Sequence, residues 1–207
     1  MHIIAPSQPL ENCKNDQVYR VEAAENENEK ELLEEGYHRS ERSYVVKENY
    51  KEYTVICPEY RNAAKDANPI LIIPDFLLPG RPYPVYVYLY AIRLYSAAPN
   101  KGQRRAAEET RKHFKLHSFA HTTLGRALKT FVRSADAVVV TAAQTETEEL
   151  AGSKAAKFPT VQWTASARSR IAPFLRDVPL HSGIRQTVSA ILELVRQWFK
   201  DYRRLLL

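Results

Sequence analysis

Cysteine, glycine and long apolar runs are scarce in this sequence of 207 residues. The two cysteines, Cys13 and Cys57, are too few for the disulfide framework of a small secreted protein. No stretch reaches the roughly eighteen apolar residues of a membrane-spanning helix. The first residues also lack the basic and apolar regions of a secretory signal peptide. We therefore expect a cytoplasmic protein with reduced thiols and no membrane partner.

The common signatures of catalysis are also missing. The sequence has no glycine-rich phosphate loop, no His-Glu-x-x-His motif and no Gly-x-Ser-x-Gly motif. A transposase-type nuclease needs a set of carboxylates that together hold two metal ions. Acidic residues are sparse after Asn68, and none stands in a context that singles it out. We therefore expect no catalytic residues.

Charge is unevenly distributed along the chain. Residues 1–68 carry 14 acidic and 9 basic side chains, whereas residues 69–207 carry 10 acidic and 21 basic ones. A basic segment of this size favours a polyanionic partner such as DNA. The alternative is that Lys and Arg only solvate helix surfaces. Acidic membranes would attract the same charge, but no lipidation motif accompanies it.

The stretch 103–132 predicts two short amphipathic helices. Apolar or small side chains recur at helical spacing in both halves: Ala106, Thr110 and Phe114 in the first, and Leu124, Leu128 and Phe131 in the second. A polar break at 116–122 separates them, which is typical of a helix-turn-helix, although the usual turn has only about three or four residues. The alternative is a helix pair that only packs a core.

In a helix-turn-helix, the first residues of the second helix enter the DNA major groove. Donor side chains at these positions, with two arginines of the first helix, are the candidate DNA-binding residues: His121, Thr122, Thr123, Arg126, Lys129, Arg104 and Arg105. Such side chains can donate to phosphate oxygens or base edges. We predict double-stranded DNA as the partner.

The first 80 residues predict a small β unit. Residues 2–4 favour an edge strand and residues 17–22 a second strand, while 43–47 and 53–57 predict a hairpin because they are rich in β-branched and aromatic residues. Residues 57–60 are expected to lead into a polar loop, and the proline-flanked segment 69–79 to form a last strand that leaves the sheet. The acidic segment 25–35 ends at Gly36 and is either one exposed helix or without ordered structure.

Two possible metal sites both lack a complete ligand set. Cys13-x-x-Asp16 and Cys57-x-x-Tyr60 each keep the first position of a Cys-x-x-Cys knuckle, and His38 is a further weak candidate, but two thiolates are too few for a four-cysteine zinc site. The second candidate is a set of histidines spaced by four: His113, His117 and His121. They would share one face of an unbroken helix, but the predicted break lies between them. We expect no cofactor, and zinc only if Asp16 or His38 replaces a cysteine.

Three further segments contain helix signals. Residues 85–95 fit both a strand and a helix, and the leading Pro84 with the length favours the helix. Ser134 to Asp136 can cap a further helix through the valines 138–140, for which a buried strand is the alternative. Residues 184–207 predict the clearest helix, with Trp198 and Phe199 adding aromatic surface. Two alternatives remain for the C-terminal end of this helix: it packs into the core of the protein, or it forms a homodimer contact.

The order of these features resembles a family of bacterial mobile-element-associated proteins. The similarity covers roughly residues 10 to 130, and its pieces are Gly36-Tyr-His-Arg39, the hairpin, Cys57, Pro74-Asp-Phe-Leu-Leu-Pro79, the apolar helix, and Phe114 through Arg126. Family members join an N-terminal zinc ribbon to a transposase-like helix-turn-helix. The resemblance implies DNA binding in transposition or its control. This chain departs from the pattern at Asp16 and Tyr60, where the family has cysteines.

These observations predict an α+β protein in three parts. A degenerate zinc-ribbon-like β unit at 1–80 is followed by a helical region with the helix-turn-helix at 81–150, and by a C-terminal helical region at 151–207. The expected function is DNA binding by a non-catalytic transposon-associated accessory or regulatory factor. The alternatives are a protein-interaction or assembly module without nucleic acid, and a transposase fragment.

Overall fold

A β-rich unit and a helical unit make up the chain. The computed structural model describes residues 2–5, 10, 17–21, 27–62, 68–97, 100, 102–148, 171–180, 183–202, 205 and 207. The β-rich unit comprises residues 1–85 and holds all the described strands, and the helical unit comprises residues 86–207. The predicted α+β class is confirmed.

A long hairpin is the centre of the β-rich unit. Strands β3 (His38–Glu48) and β4 (Lys51–Arg61) pair antiparallel over their whole length. Asn49 and Tyr50 form the turn with φ of 50° and 57°, the two positive values that a two-residue type I′ turn requires. The hairpin is confirmed, and β4 continues beyond the predicted strand end at Cys57, through the segment that leads into the loop, to Arg61.

Three shorter strands extend the sheet. They are β1 (His2–Ala5), β2 (Val18–Arg20) and β5 (Ile70–Pro74), and the strand order is β1-β5-β4-β2 with β3 also paired to β4. β1 pairs parallel with β5, and β2 pairs parallel with β4. The predicted edge strand and second strand are confirmed as β1 and β2. β5 differs from expectation, since it lies inside the sheet and only its last residue, Pro74, marks where the chain leaves.

One side of the hairpin builds a core by strict alternation. Val46, Tyr53, Val55 and Cys57 are all buried, and their side chains lie on the same face because Val46 pairs with Tyr53 in register. Each buried aliphatic side chain of this kind contributes roughly 1.5–3 kcal/mol. The outer edge of β3 faces away from β4. Within the described residues, its one backbone hydrogen bond to another segment joins the N–H of Lys47 to the Pro82 carbonyl at 2.7 Å.

The acidic segment forms helix α1 (Glu27–Glu34), which confirms the first of its two alternatives. Gly36 ends it with φ of +84°, a conformation that favours glycine. Glu29 fastens the helix to the sheet, because it accepts hydrogen bonds from the Tyr60 hydroxyl at 2.6 Å and from Arg39 at 2.9 Å.

Helix α2 (Val85–Ala97) resolves the ambiguous segment in favour of the helix. Every residue from Val85 to Ile92 is buried. A helix with no exposed face has no polar side to set a period, which explains why its sequence also fits a strand. Arg93 fixes the helix within its unit, because its guanidinium donates to the carbonyls of Val178 and Arg176, both at 3.2 Å.

The two predicted amphipathic helices are α3 (Gln103–His113) and α4 (His121–Glu148). The break between them, residues 114–120, contains three buried apolar side chains: Phe114, Leu116 and Phe119. The separate helix expected from Ser134 is wrong, since α4 continues through it without interruption. The buried period passes from Phe131 to Ala135, so Ser134 and Asp136 lie within the helix and cap nothing.

Helix α5 (Ile184–Tyr202) confirms the last predicted helix, and its buried residues are Thr187, Ile191, Leu192, Val195 and Trp198. Of the two alternatives for the end of this helix, core packing or a homodimer contact, the position of Trp198 agrees with the core, because only 1% of its side chain is exposed. Its ring centroid lies 5.8 Å from Phe174 and 6.2 Å from Phe131. Phe174 belongs to a short 3-10 helix, Ala172–Leu175, which also contains Pro173.

The first part of the predicted C-terminal region, residues 151–170, lies outside the described residues. Among the helices of the described ranges, none has the length and apolar character needed to cross a membrane.

Candidate nucleic-acid interface

A stripe of polar side chains runs along the exposed face of α4. Its members, Thr122, Arg126, Lys129 and Arg133, follow one another at intervals of four, three and four residues, so they lie on one side of the helix. We call these four residues the α4 stripe. The rise of about 1.5 Å per residue spreads its three cations over roughly 10 Å. The other side of the helix is buried through Leu124, Ala127, Leu128 and Phe131.

The α4 stripe forms one wall of an open groove of about 720 Å³, which we call the α4 groove. Six of its lining residues come from the polar part of α4: His121, Thr122, Gly125, Arg126, Lys129 and Arg133. Tyr95, near the end of α2, and Gln103, the first residue of α3, also line it. Leu128 and Val132 of α4 complete the lining, so the groove combines cations with one aromatic ring, one amide and two aliphatic side chains.

Gly125 lies in the middle of this surface. A Cβ atom there would come within 3.1 Å of Oε1 of Gln103. The missing side chain lets the Gln103 amide lie close to α4. A glycine inside a helix costs about 1 kcal/mol relative to alanine, so the position gives up helix stability.

The cations of the α4 stripe are not neutralised by carboxylates among the residues that the structure describes. Three of the four Lys and Arg side chains of α3 are in a different situation, whereas Arg104 has no carboxylate partner among the described residues. Arg105 pairs with Glu109 at 3.1 Å, and Arg111 and Lys112 both pair with Glu108, at 2.9 and 3.4 Å. The hydrogen bond from Arg111 is the largest cause of the lowered pKa of Glu108. The positive charge available to an anion is therefore concentrated on α4.

Four of the seven predicted DNA-binding residues line the α4 groove: His121, Thr122, Arg126 and Lys129. The other three lie elsewhere. Thr123 is half-buried outside the groove lining, and Arg104 and Arg105 are exposed on α3, with Arg105 engaged by Glu109. The sequence prediction did not include Arg133, Gln103 and Tyr95. Arg133 has a signal in the sequence, since it follows Lys129 by four residues and Arg126 by seven.

The break between α3 and α4 is a packed loop. Its seven residues, 114–120, exceed the roughly three or four of a helix-turn-helix turn. Phe114 packs against Tyr86 and Tyr90 of α2, with ring centroids 5.7 and 5.3 Å apart. Phe119 packs against Tyr88 at 5.8 Å. The tyrosines of α2 thus hold the loop and, through it, the first turn of α4.

The histidines spaced by four end up in three different settings. His113 is the last residue of α3 and stacks on Tyr90 at 4.4 Å, and its burial lowers its pKa. His117 lies in the loop, and His121 begins α4. The predicted break thus separates them.

The weak zinc candidates are not brought together where the structure describes them. Cys57 pairs with Arg42 and His38 pairs with Arg61, so the two candidates are four register positions apart, about 13 Å along the strand. Burial also raises the pKa of Cys57 to about 12, which keeps it a thiol, whereas zinc binds thiolate. Cys13 and Asp16 lie outside the described residues. Within the described ranges, no three His, Cys, Asp or Glu side chains are grouped as metal ligands.

One carboxylate of the sheet has a marked environment. Glu59 is buried and accepts from Arg61 at 2.9 Å and from Arg42 at 3.3 Å. Two cations and the nearby Ser40 hydroxyl satisfy its charge. We interpret this group as a structural ion pair of the hairpin end.

Comparison of the chain with protein-family models, with curated protein sequences and with solved structures gave no match.

Proposed function

We propose that this protein binds DNA through the α4 groove, as a non-catalytic accessory or regulatory factor of a mobile element. The observation that carries the DNA part is the α4 stripe, where Arg126, Lys129 and Arg133 share one exposed face without carboxylate partners in the described ranges. Phosphate contacts of this kind supply most of the affinity of non-specific DNA binding. The mobile-element part rests on the resemblance carried by Pro74 to Pro79 and the features around it.

The first prediction concerns the charge of the α4 stripe. Changing both Arg126→Ala and Lys129→Ala should weaken duplex binding roughly ten- to a hundredfold, because two charge-assisted contacts are lost. The slope of log affinity against log salt should become shallower by about two phosphate contacts. Fluorescence anisotropy with labelled duplex DNA at several salt concentrations measures both quantities.

A matched control removes the same charge elsewhere in the helical unit. Arg185→Ala with Lys200→Ala also deletes two exposed cations, but neither residue lines the α4 groove. This control should keep most of the affinity. If the α4 variant is folded and binds like the unchanged protein, α4 is not the DNA-binding element.

The same titration separates the alternatives. Binding to a protein partner without any affinity for DNA would favour the interaction or assembly module. Cleavage of the labelled DNA on addition of Mg²⁺ or Mn²⁺ would identify a transposase fragment, since that chemistry needs metal-bound carboxylates.

A further inference from the structure

The α4 stripe faces a recess, which distinguishes it from a protruding recognition helix. A helix that reads duplex DNA must enter a major groove about 12 Å wide. Here Tyr95 of α2 and Gln103 of α3 stand across the groove from the cations of α4. The volume of about 720 Å³ falls within the roughly 300–1,000 Å³ of small-ligand sites. A space of this size suits individual nucleotides better than the surface of a double helix.

The lining matches the chemistry of an unpaired strand. Single-stranded DNA is held by cations along its backbone and by aromatic rings on which its bases stack. Arg126, Lys129 and Arg133 supply the cations on one wall. The Tyr95 ring and the Gln103 amide on the other supply a stacking surface and a hydrogen-bonding group for a base edge.

Gly125 lets the Gln103 amide lie against α4 at the groove. Even a single Cβ atom at this position would approach Oε1 of Gln103 to 3.1 Å. A larger side chain would therefore displace the Gln103 amide from the groove lining without changing the charge of the groove.

We infer that the α4 groove takes an unpaired segment of a DNA strand, so that the protein prefers DNA with a single-stranded extension to a blunt duplex. This inference rests on the proposed DNA binding and specifies the form of DNA. Ends and junctions with unpaired nucleotides would then be the favoured substrates.

The test compares three labelled DNAs by anisotropy with the full chain. They are a blunt duplex of about 20 base pairs, the same duplex with an extension of about eight unpaired nucleotides, and that extension alone. We expect the extended duplex to bind about tenfold more tightly than the blunt one, because stacking adds to the phosphate contacts. Equal affinity for the two duplexes overturns the inference and leaves the proposed function standing. No binding to any of the three overturns both.

Two variants at one position locate the effect. Gly125→Leu should remove the tenfold preference for the extended duplex, because its side chain would displace Gln103 from the groove lining without changing the charge of the groove. Gly125→Ala is the matched control and should keep most of the preference. A preference that survives in folded Gly125→Leu overturns the inference.

A second pair of variants keeps the test decisive if Gly125→Leu does not fold. Tyr95→Leu should lose the preference because it removes the stacking ring, whereas Tyr95→Phe should keep it. Equal preference in both variants overturns the inference.

The preference must also be specific to DNA. Displacement of the extension by polyglutamate as effectively as by an oligonucleotide of equal charge would mark a general site for acidic chains and would overturn the inference as well.

Discussion

Burial decides the chemistry of Cys57. Its side chain is inaccessible, and the pKa of the thiol rises from the usual 9.0 to about 12. The pKa of Tyr60, also on β4, rises from 10.0 to about 12, through burial first and the Glu29 carboxylate second. In both cases the folded state holds a proton that the unfolded chain releases at lower pH.

This has a predicted consequence for stability in alkali. The stability that the two protonated groups contribute is fully present below about pH 9 and is lost as the pH rises toward 12. The melting temperature should therefore fall across this range, and Cys57→Val should reduce the fall because it removes one of the two groups. Calorimetry from about pH 8 to about pH 11 checks this. An identical pH profile in the Val variant would show that the thiol does not contribute.

The lining of the α4 groove shows which single residues of a candidate site can be predicted from the sequence alone. His121, Thr122, Arg126 and Lys129 are predictable because donor side chains at a helix start are visible in the sequence. Arg133 continues the same helical spacing, but the cap-like pattern of Ser134 to Asp136 predicts a boundary between two helices at Arg133, and this separates it from the other residues of the α4 stripe. Tyr95 and Gln103 have no local signal, since their place in the groove depends on how three helices pack.

At the scale of elements, hydrophobic periodicity predicts those helices and strands that have one solvent-exposed face and one buried face. The hairpin and the helices α3, α4 and α5 all have such faces. The parallel pairing of β1 with β5 has no local signal, because it joins residues 2–5 to residues 71–74 across the whole unit. Short strands with distant partners are set by tertiary packing, which a single sequence does not display.

The core position of Trp198 leads to a prediction for α5. Trp198→Ala should lower the free energy of unfolding by roughly 3–5 kcal/mol, because the ring packs against Phe131, Phe174 and Tyr202. Trp198→Phe should cost less, since it keeps an aromatic ring. Urea denaturation measures both.

Removing residues 198–207 should likewise unfold the helical unit. A shortened chain that stays folded as a monomer, with weaker DNA binding, would instead support the homodimer contact.

For the molecule as a whole, the two units differ in charge and in the way they are stabilised. Most of the excess basic charge follows Asn68, and so belongs almost entirely to the helical unit. The β-rich unit is stabilised by buried side chains such as Val55, Tyr60 and Ile73 and by the ion pairs of Glu59.

We therefore predict that a chelator leaves the stability of the whole protein unchanged. A structural zinc ion would contribute folding free energy directly, so its removal would lower the melting temperature. Calorimetry with and without a strong chelator, together with elemental analysis of the purified protein, tests this. One zinc per chain, lost together with stability, would point to Cys13, Asp16 or His38 as its ligands.

The outer edge of β3 has a consequence for how the protein can be handled in concentrated solution. Alternate backbone groups between Arg39 and Val45 point away from β4, and no strand of the described residues pairs with them. An edge of this kind can add a strand from another molecule. Arg39 and Glu41 keep the edge charged through their ion pairs with Glu29 and Arg20, while Val45 is half exposed beside them. Salt screens such charges but leaves the apolar side chain as it is. Low ionic strength, which strengthens phosphate contacts, is therefore also the condition that best protects this edge from aggregation.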